Sequence, residues 1–480
     1  MHGTAHHPPS THPPAAAHPR RRLLLGVLCL AQFMLIVDVT VINVALPAIG
    51  ADLHLGRSAL TWAVTAYTLC FGGLMLLGGR LADAFGARRM LTAGLLLFTA
   101  ASLTAGLADG PALLLAGRAA QGAGAALVSP AALAALTRAF DGPERTKALG
   151  VWAMLSGIGF AAGAMLGGLL TAGPGWHWVF FVNLPVGLAV LAALPALLPP
   201  ALRPPAPAPA AAGDRRIDLP GALLVTAATG ALILGLVNAG DHDWSSASVL
   251  LPSVGSVVLY GLFVLLERRT AAPLLDVRIL ARRPVAAGSL LMLVATALLL
   301  GLVFLGSLYL QDVRHLSALA TGALVLPMAA GTAVAAHLTG RLLAHAGVRT
   351  VAAGGLLLAA AGSVLLAVTD GPLWTVAGLT LAGFGVVPVL VCATTTALGF
   401  VPHEEAGVAS GVVNTFHEVG GAIGIAVVST AAAPGIVAHT SAGFPTAHLT
   451  LAAAALLTAA LTPALVPPGR AEHPAGMHAH

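Results

Sequence analysis

Three ionisable side chains interrupt otherwise apolar stretches of this sequence: Asp38, Arg118 and Glu418. If these stretches are membrane-spanning helices, Asp38 and Arg118 are expected about 14 Å and about 10 Å from the same membrane surface. Glu418 is expected about 17 Å from the opposite surface, near the middle of the bilayer. Ionisable groups at such depths are costly unless they face a partner or a cavity. Their types and depths therefore predict an ion pair between Asp38 and Arg118, and carboxyl groups that exchange protons or bind cations.

Four polar side chains within five residues of these groups are candidates to line the same cavity: Asn43, Gln121, Asn414 and His417. A permanent ion pair that only fixes helix packing is the alternative interpretation of Asp38 and Arg118. Charges inside a membrane more often mark substrate or proton pathways, which favours the functional interpretation.

The composition decides which elements must position these residues. Hydrophobic residues make up 58% of the 480-residue chain and charged residues 9%, whereas soluble domains are roughly half apolar and a quarter charged. A soluble enzyme is therefore excluded. About 20 apolar residues are needed to cross a bilayer as a helix. The sequence contains fourteen such stretches, at 23–47, 60–79, 89–108, 111–137, 148–172, 177–198, 219–239, 248–266, 284–311, 319–340, 350–369, 373–400, 407–432 and 446–467.

These stretches are long, rich in Ala, Leu and Gly, and do not alternate between polar and apolar residues. A membrane barrel is built from alternating strands of about ten residues, so this architecture is excluded. We therefore predict an all-α polytopic membrane protein with fourteen transmembrane helices, arranged as two six-helix bundles plus two extra linker helices.

The basic residues predict the orientation in the membrane. The chain carries 23 Lys and Arg residues and a net charge of +5. With the N-terminus inside, only Arg57 and Arg314 face outward and Arg118 is buried, which leaves 20 on the inner side. This asymmetry follows the positive-inside rule and predicts that both termini are cytoplasmic. The charge thus reflects topology, so we expect the lipid bilayer and no nucleic acid as a partner.

The composition also divides the chain into segments. We predict a disordered cytoplasmic tail at 1–22, six-helix bundles at 23–199 and 284–468, a cytoplasmic linker at 200–218, an extra helix pair with its following loop at 219–283, and a C-terminal tail at 469–480. The first tail contains five His residues among Pro and Ala, without the fixed geometry that a metal site needs. The extra helix pair has no charge within its apolar stretches, so we expect it to face lipid, outside any pathway.

A short charged hinge between two apolar stretches occurs twice. Its residues are Gly79, Asp83, Gly86, Arg88 and Arg89 in the first copy, and Gly340, Arg341, Gly347 and Arg349 in the second. Corresponding residues are 261 positions apart, which predicts a duplicated helical bundle. Duplicated bundles in membranes often form transporters with a site between the halves. The glycines permit tight turns, and Asp83 is expected to contact a facing basic group or helix N-terminus and so close the cytoplasmic mouth.

The fifth stretch carries glycines at a spacing of four, Gly159, Gly163 and Gly167, followed by Gly168. Residues four apart share one helical face, so this ridge allows another helix to approach closely. Tight packing alone is the simpler interpretation of this spacing.

Motifs for other chemistries are missing from the sequence. The single lysine, Lys147, does not follow a glycine, which excludes a P-loop for ATP. His417 and Glu418 begin a pattern like that of a zinc site, but the position of its second histidine is Gly421. We therefore expect no metal and no cofactor, and a proton gradient as the energy source.

Together these motifs resemble the major facilitator superfamily, and specifically its fourteen-helix drug–proton antiporters of the EmrB/QacA type. Residues 79–89 are similar to the cytoplasmic gating motif of that superfamily, and residues 38–47 to a first-helix motif of the fourteen-helix group. Arg118 and Gln121 match a fourth-helix motif assigned to proton coupling. The fifth-helix antiporter motif is usually Gly-Pro-x-x-Gly-Gly, and residues 163–168 keep its glycines but lack its proline. That proline would be the strongest helix-bending residue.

The resemblance implies a proton-coupled antiporter that exports lipophilic drugs or antibiotics, cationic or neutral, across the cytoplasmic membrane by alternating access. In this interpretation Asp38 and Glu418 line a cavity between the bundles, where a proton from outside displaces the substrate and Arg118 modulates Asp38. A proton-linked importer of a small metabolite is one alternative, and a membrane-embedded sensor or enzyme is another. Because the ionisable side chains are too sparse for an active site, we do not expect an enzyme.

Overall fold

The computed structural model describes residues 17–140, 142–198, 218–270, 273–275, 277–399 and 406–467, and all regular secondary structure in them is helical. The helices are α1 (Ala17–Asp52), α2 (Arg57–Phe85), α3 (Ala87–Gly106), α4 (Pro111–Ala139), α5 (Gly142–Ala172), α6 (Trp178–Phe181), α7 (Asn183–Leu197), α8 (Leu219–Asn238), α9 (Ala247–Arg269), α10 (Arg283–Leu308), α11 (Ala318–Val368), α12 (Pro372–Leu398), α13 (Ala406–Ala431), α14 (Ala433–Ala438) and α15 (Phe444–Leu465).

The predicted tails and linker lie almost entirely outside the described residues. The exception in the first tail is the segment from Ala17, which is already helical and belongs to α1, so the predicted boundary at residue 22 is too late. Asp218, the last residue of the predicted linker, is described as the residue that precedes α8.

Twelve described helices are long and apolar enough to cross a membrane. One of them, α11, has 51 residues but turns at Gly347, where the backbone is not helical, so it consists of two arms. α5 has 31 residues, of which 158–172 form a shorter apolar helix. With α11 counted as two and α5 included, the helices correspond to the fourteen predicted stretches. Length and hydropathy alone give twelve, so the count of fourteen stays a prediction.

Contacts at the helix ends define two sides of the molecule. On the side where α1 begins and α15 ends, here called the terminal side, Arg349 donates to the Val466 carbonyl oxygen at 2.6 Å. On the opposite side, called the distal side, Arg57 of α2 contacts Asp241 and Ser429. The arginine on the terminal side thereby binds a carbonyl group that the end of a helix leaves without an intrahelical partner.

The two bundles carry the same backbone features at an offset of 261 residues. Gly86 and Gly347 interrupt the helices at the two hinges with φ angles of 93° and 76°, a left-handed region that favours glycine. His54 and His315, which are also 261 residues apart, have φ angles of 52° and 55° in equivalent connections. The repeat is therefore present in the backbone conformation as well as in the sequence.

Close contacts between helices repeat with the same offset. A Cβ atom at Gly94 would lie 2.8 Å from the Gly124 carbonyl oxygen, where α3 meets α4. A Cβ atom at Gly355 would lie 2.6 Å from the Gly385 carbonyl oxygen, where the second arm of α11 meets α12. Helices in lipid associate mainly through such close packing, because no hydrophobic effect drives them together.

The bundles contact each other through their first helices on the distal side. Residues 41–46 of α1 and residues 301–308 of α10 are all buried there. Gln311 donates to the Val44 carbonyl oxygen at 2.9 Å, and Ser307 donates to the Asn43 carbonyl oxygen. Toward the terminal side, by contrast, α1 exposes residues 22, 23, 26 and 30. α1 is therefore enclosed only in its distal half.

The extra helix pair consists of α8 and α9, and the expectation that both face lipid is wrong for α8. Ile233 and Val237 of α8 are buried in one cluster with Leu69 of α2 and with Ala422 and Ala426 of α13. α8 therefore packs over the seam between the two bundles, whereas α9 is the largely exposed outer helix. An apolar helix has the same composition whether lipid or another helix surrounds it, which is why the sequence did not distinguish them.

We expect Gly355→Ala to destabilise the protein by roughly 1–3 kcal/mol, because the added methyl group would push α11 away from the Gly385 backbone. The adjacent Gly354→Ala is a matched control, since nothing lies within 4 Å of a Cβ atom there. Ala is favoured over Gly in helices by about 1 kcal/mol, so the control should be neutral or stabilising. Thermal unfolding of the purified protein in detergent measures both, and equal melting temperatures would contradict this account of the packing.

Candidate functional site

Asp38 of α1 and Arg118 of α4 form an ion pair inside the first bundle. Arg118 Nη1 lies 2.6 Å from Asp38 Oδ2, and both side chains are 0% exposed. The pairing inferred from their matching depths is therefore present. Removing one charge of a buried pair costs roughly 3–5 kcal/mol, because the other charge is left without compensation. The two side chains thus act as one unit.

Polar side chains from other helices complete the surroundings of Asp38. Gln121 Nε2 and Asn183 Nδ2 donate to Asp38 Oδ1 at 3.0 and 2.8 Å. Gln121 Nε2 also lies 2.8 Å from Ser102 Oγ of α3. These bonds replace the water that a carboxylate loses on burial. They engage Oδ1 of Asp38, while Arg118 engages Oδ2.

Arg118 contacts α2 as well as α1. Its Nε atom donates to the Ala63 carbonyl oxygen at 2.9 Å, and its guanidinium group lies 4.5 Å from the centre of the Tyr67 ring. A cation over an aromatic ring contributes about 2 kcal/mol when it is shielded from water. Arg118 Nη2 is buried without a hydrogen-bond partner among the described residues, so one end of the guanidinium group is unused in this conformation.

Tyr67 lies on α2 between the ion pair of the first bundle and the seam. Its ring packs against the Arg118 guanidinium group, and Gly72 of the same helix packs against Glu418. The ring is fully buried, and the hydroxyl oxygen has no hydrogen-bond partner in the described part of the chain. Tyr67 is therefore placed to respond to a change of charge at either carboxyl group.

Glu418 lies on α13, at the seam between the bundles. A Cβ atom at Gly72 of α2 would lie 2.6 Å from Glu418 Cβ, so the missing side chain at Gly72 makes room for Glu418. Its neighbour His417 points into the second bundle, where its Nδ1 atom lies 3.2 Å from Thr296 Oγ1 of α10. Glu418 is only partly buried, and Asn414, one turn earlier, is exposed.

The expectation that Asp38 faces a chamber shared with Glu418 is wrong in this conformation. Arg118, Gln121 and Asn183 enclose the Asp38 carboxylate from within the first bundle. Depth along a helix is readable from sequence, but the direction in which a side chain points around the helix axis is not. Asp38 points inward to its own bundle, and Glu418 points to the seam.

Asn43, the remaining candidate for a cavity wall, is buried on α1. Its Nδ2 atom donates to the Val39 carbonyl oxygen at 2.8 Å, a bond within the helix. Its Oδ1 atom is buried without a hydrogen-bond partner in the described residues. Because its carbonyl oxygen accepts from Ser307 of α10, Asn43 lies at the buried contact between α1 and α10.

The hinge residues lie on the terminal side. Asp83 is 73% exposed, and its nearest basic group is Arg138 of α4 in the same bundle, at 3.4 Å. An exposed pair of this kind contributes less than about 1 kcal/mol. Arg80 reaches further and donates to the Pro273 carbonyl oxygen, at 2.8 Å, in the segment after α9. Three further hinge residues are exposed on this side, namely Arg89, Gly340 and Arg341.

The glycine ridge of α5 contacts both bundles. A Cβ atom at Gly163 would lie 2.6 Å from Thr40 Cβ of α1. A Cβ atom at Gly168 would lie 2.7 Å from the Ala318 carbonyl oxygen of α11, across the seam. Gly159 and Gly167 also pack against α1. The ridge therefore provides close packing within the first bundle and one contact to the second.

Arg57 is buried at the distal end of α2, although the sequence indicated an outward-facing loop residue. Its side chain is 1% exposed and lies 2.8 Å from Asp241, in the connection between α8 and α9. Its Nη1 atom donates to Ser429 Oγ of α13 at 3.1 Å, and Thr61 Oγ1 lies 2.6 Å from the same oxygen. We call Arg57, Asp241 and Ser429 the distal lock, because they join the first bundle, the extra pair and the second bundle.

Sequence reasoning missed two residues of the site, Tyr67 and Asn183. Tyr67 is one of three tyrosines in the chain, and Asn183 is a polar residue at the start of an apolar helix. The signal available for both was a polar group inside an apolar stretch, the same signal that identified Asp38.

Residues 28–425 match the profile of the Major Facilitator Superfamily. The chain belongs to this superfamily. It is therefore a multi-pass membrane transporter and not an enzyme, as predicted from the repeated hinge, the family resemblance and the sparse ionisable side chains.

Full-length relatives of the transporter are antibiotic export or resistance proteins. The cephamycin export protein CmcT of Amycolatopsis lactamdurans is 38% identical over 468 residues, which cover 95% of this chain and 94% of the relative. The puromycin resistance protein pur8 of Streptomyces alboniger is 38% identical, and the aligned residues cover 86% of this chain and 82% of the relative. The lincomycin resistance protein of Streptomyces lincolnensis is 37% identical, and the aligned residues cover 86% of this chain and 85% of the relative.

Solved transporters share the fold. A bacterial homologue of the human lysosomal transporter Spinster, in an inward-facing and unoccupied conformation, gives a TM-score of 0.63 at 16% identity, covering 93% of this chain and 96% of that one. A variant of the peptide transporter POT bound to sulfate gives a TM-score of 0.64 at 17% identity, with 92% and 93% covered. These likenesses establish the major facilitator fold.

We expect Arg57→Gln to open the distal side of the transporter, because it removes the cation of the distal lock. The measurement uses Ser307→Cys as a reporter, in protein whose native cysteines, Cys29, Cys70 and Cys392, are replaced. If the lock contributes about 1.4 kcal/mol, a membrane-impermeant thiol reagent should label the reporter about tenfold faster.

The matched control is Arg314→Gln, which removes an exposed ion pair with Asp370 on the same side. It should leave the labelling rate unchanged. Equal rates for Arg57→Gln and the unaltered protein would show that these contacts do not hold the distal side closed.

Proposed function

We propose that this transporter is a proton-coupled antiporter that exports antibiotics or other lipophilic drugs across the cytoplasmic membrane, with both termini in the cytoplasm. Export is supported by the relatives, which are named for cephamycin export and for resistance to puromycin and lincomycin. Proton coupling rests on one observation, the ion pair of Asp38 with Arg118 in a site shielded from water.

In the proposed coupling step a proton binds the Asp38 carboxylate and neutralises it. Arg118 stays charged, because a guanidinium group does not lose its proton in proteins. A buried cation without a counter-charge is costly, so the first bundle is driven toward a conformation in which Arg118 finds water or another acceptor. Protonation of one side chain is thereby converted into movement of a bundle.

Glu418 is the proposed contact for the positive charge of a cationic substrate. It lies on the seam and is partly exposed, whereas Asp38 is enclosed. This arrangement divides the two roles, so that Asp38 carries the proton and Glu418 contacts the substrate. α2, whose Tyr67 packs against Arg118 and whose Gly72 packs against Glu418, provides a route by which a change at one carboxyl group affects the other.

The proposed cycle places this structure in a state that is closed on the distal side. α1 is enclosed in its distal half. The distal lock connects the two bundles and the extra helix pair on that same side. With the terminal side in the cytoplasm, substrate enters from inside, and the lock opens to release it outside. One proton that moves through 100 mV supplies ~2.3 kcal/mol, enough for a drug gradient of about fifty-fold.

We expect Asp38→Asn to reduce proton-driven transport by at least about tenfold, because it removes the proton carrier, and Glu418→Gln to weaken transport of cations. Everted membrane vesicles with an acidic interior are assayed for uptake of ethidium, a fluorescent lipophilic cation, and of puromycin and lincomycin. The matched control is Asp109→Asn, which neutralises an exposed carboxylate in the connection between α3 and α4.

Undiminished transport in both Asp38→Asn and Glu418→Gln would remove this site assignment. The direction of flux is a separate result. Movement of the compound along the proton gradient, and not against it, would identify a proton-linked importer and contradict the proposed export.

A further inference from the structure

Two buried carboxyl groups lie together at the terminal ends of α8 and α9, outside the site of Asp38. Asp218 precedes α8 and is 8% exposed, and its Oδ1 atom accepts from the Gly221 N–H at 2.8 Å. Glu267, near the end of α9, is 3% exposed, and its Oε2 atom accepts from the Leu275 N–H at 3.0 Å. One oxygen of each carboxyl group is therefore held by a backbone donor.

The other two oxygens face each other. Asp218 Oδ2 and Glu267 Oε1 are both buried, and neither has a hydrogen-bond partner in the described residues. A Cβ atom at Gly221 would lie 2.8 Å from Asp218 Oδ2 and would clash with Glu267 Oε1, so both oxygens border the same small space. Two acceptors so placed repel each other unless something positive lies between them.

No described cation balances this pair. The described basic residues of the adjoining elements are Arg80 on α2 and Arg268 and Arg269 on α9, with Arg278 and Arg282, which have partners of their own, on the segment that follows. Arg215 and Arg216, which precede Asp218, lie outside the described residues. Arg80 donates to the Pro273 carbonyl oxygen, and Arg268 and Arg269 have exposed side chains. In the part of the chain that the structure describes, no ion pair compensates the repulsion between the two carboxylates.

We propose that Asp218 and Glu267 form a proton-binding site, separate from the transport pathway, in which one proton is shared between Asp218 Oδ2 and Glu267 Oε1. The protonated carboxyl group donates to the carboxylate, so two acceptors become a hydrogen-bonded pair that carries a single negative charge. The proton comes from the water on the terminal side and returns to it. A calcium or magnesium ion fits poorly, because each needs six or more ligands and only two carboxyl oxygens lack a partner here.

Proton binding at this pair affects the contacts that join the extra helix pair to the first hinge and to the second bundle. Glu267 holds residues 273–275, and Leu274 of that segment packs against Leu77 of α2 and Ala222 of α8. The same segment accepts the hydrogen bond from Arg80 in the first hinge and continues toward α10. With the proton bound, the site clamps the extra helix pair to the hinge and to the start of the second bundle. When the proton is lost at alkaline pH, charge repulsion opens the clamp.

The test is infrared difference spectroscopy of the full-length transporter in lipid nanodiscs, titrated with pH. Glu267→Gln and Asp218→Asn each remove one carboxyl group and keep its shape. Each is expected to lose the carbonyl band of one protonated carboxyl group per chain, relative to the unaltered protein. Glu144→Gln, which removes an exposed carboxylate, should keep the band. Bands from Asp38 and Glu418 are present in the variants and in the unaltered protein alike, so they cancel when one spectrum is subtracted from the other.

Thermal unfolding across the same pH range provides a second readout. The melting temperature of the unaltered protein should fall at alkaline pH as the shared proton is lost, and that of Glu267→Gln should not. Gly221→Ala should also remove the pH dependence by separating the carboxyl groups, whereas Gly261→Ala, with open space around its Cβ, should not. An unchanged band in both carboxyl variants, or stabilisation by sodium ions instead of by protons, would overturn the proposal. Neither readout depends on transport, so the result is independent of the proposed antiport.

Discussion

The ion pair between Asp38 and Arg118 is the interaction on which the organisation of the first bundle depends. Two charges without access to water are tolerated only if every neighbouring group compensates them. Three further helices contribute to that compensation: α2 through the Ala63 carbonyl oxygen and the Tyr67 ring, α3 through Ser102, and α7 through Asn183. Gln121, on the same helix as Arg118, adds a fourth contact. A proton that neutralises Asp38 therefore changes the energy of a whole bundle, which is what a coupling site requires.

The second bundle repeats the packing of the first without this chemistry. At the offset of 261 residues, the positions of Asp38 and Arg118 are taken by Leu299 and Leu379, both apolar, while the close glycine contacts are kept. Glu418, in turn, has no acidic counterpart in the first bundle, because the equivalent residue in α5 is Gly157. The two bundles thus share their helix packing but carry different polar groups. This difference underlies the proposed division between a proton carrier in one bundle and a substrate contact in the other.

Sequence could predict what depends on position along a helix. The depths of Asp38 and Arg118 predicted their pairing, and the two hinges predicted a repeat that the φ angles of Gly86 and Gly347 also show. Sequence could not predict what depends on rotation about a helix axis or on neighbours in space. Asp38 therefore turned out to face its own bundle, α8 to cover the seam, and Arg57 to be buried among three elements that lie far apart in the chain.

The central claim of the proposed antiport is that the transported proton resides on Asp38. The most direct test measures protons released into weakly buffered solution when an exported compound binds the detergent-solubilised protein. The account predicts release of up to one proton per chain from the unaltered protein and from Glu418→Gln, and none from Asp38→Asn. Equal release from Asp38→Asn and the unaltered protein would contradict it.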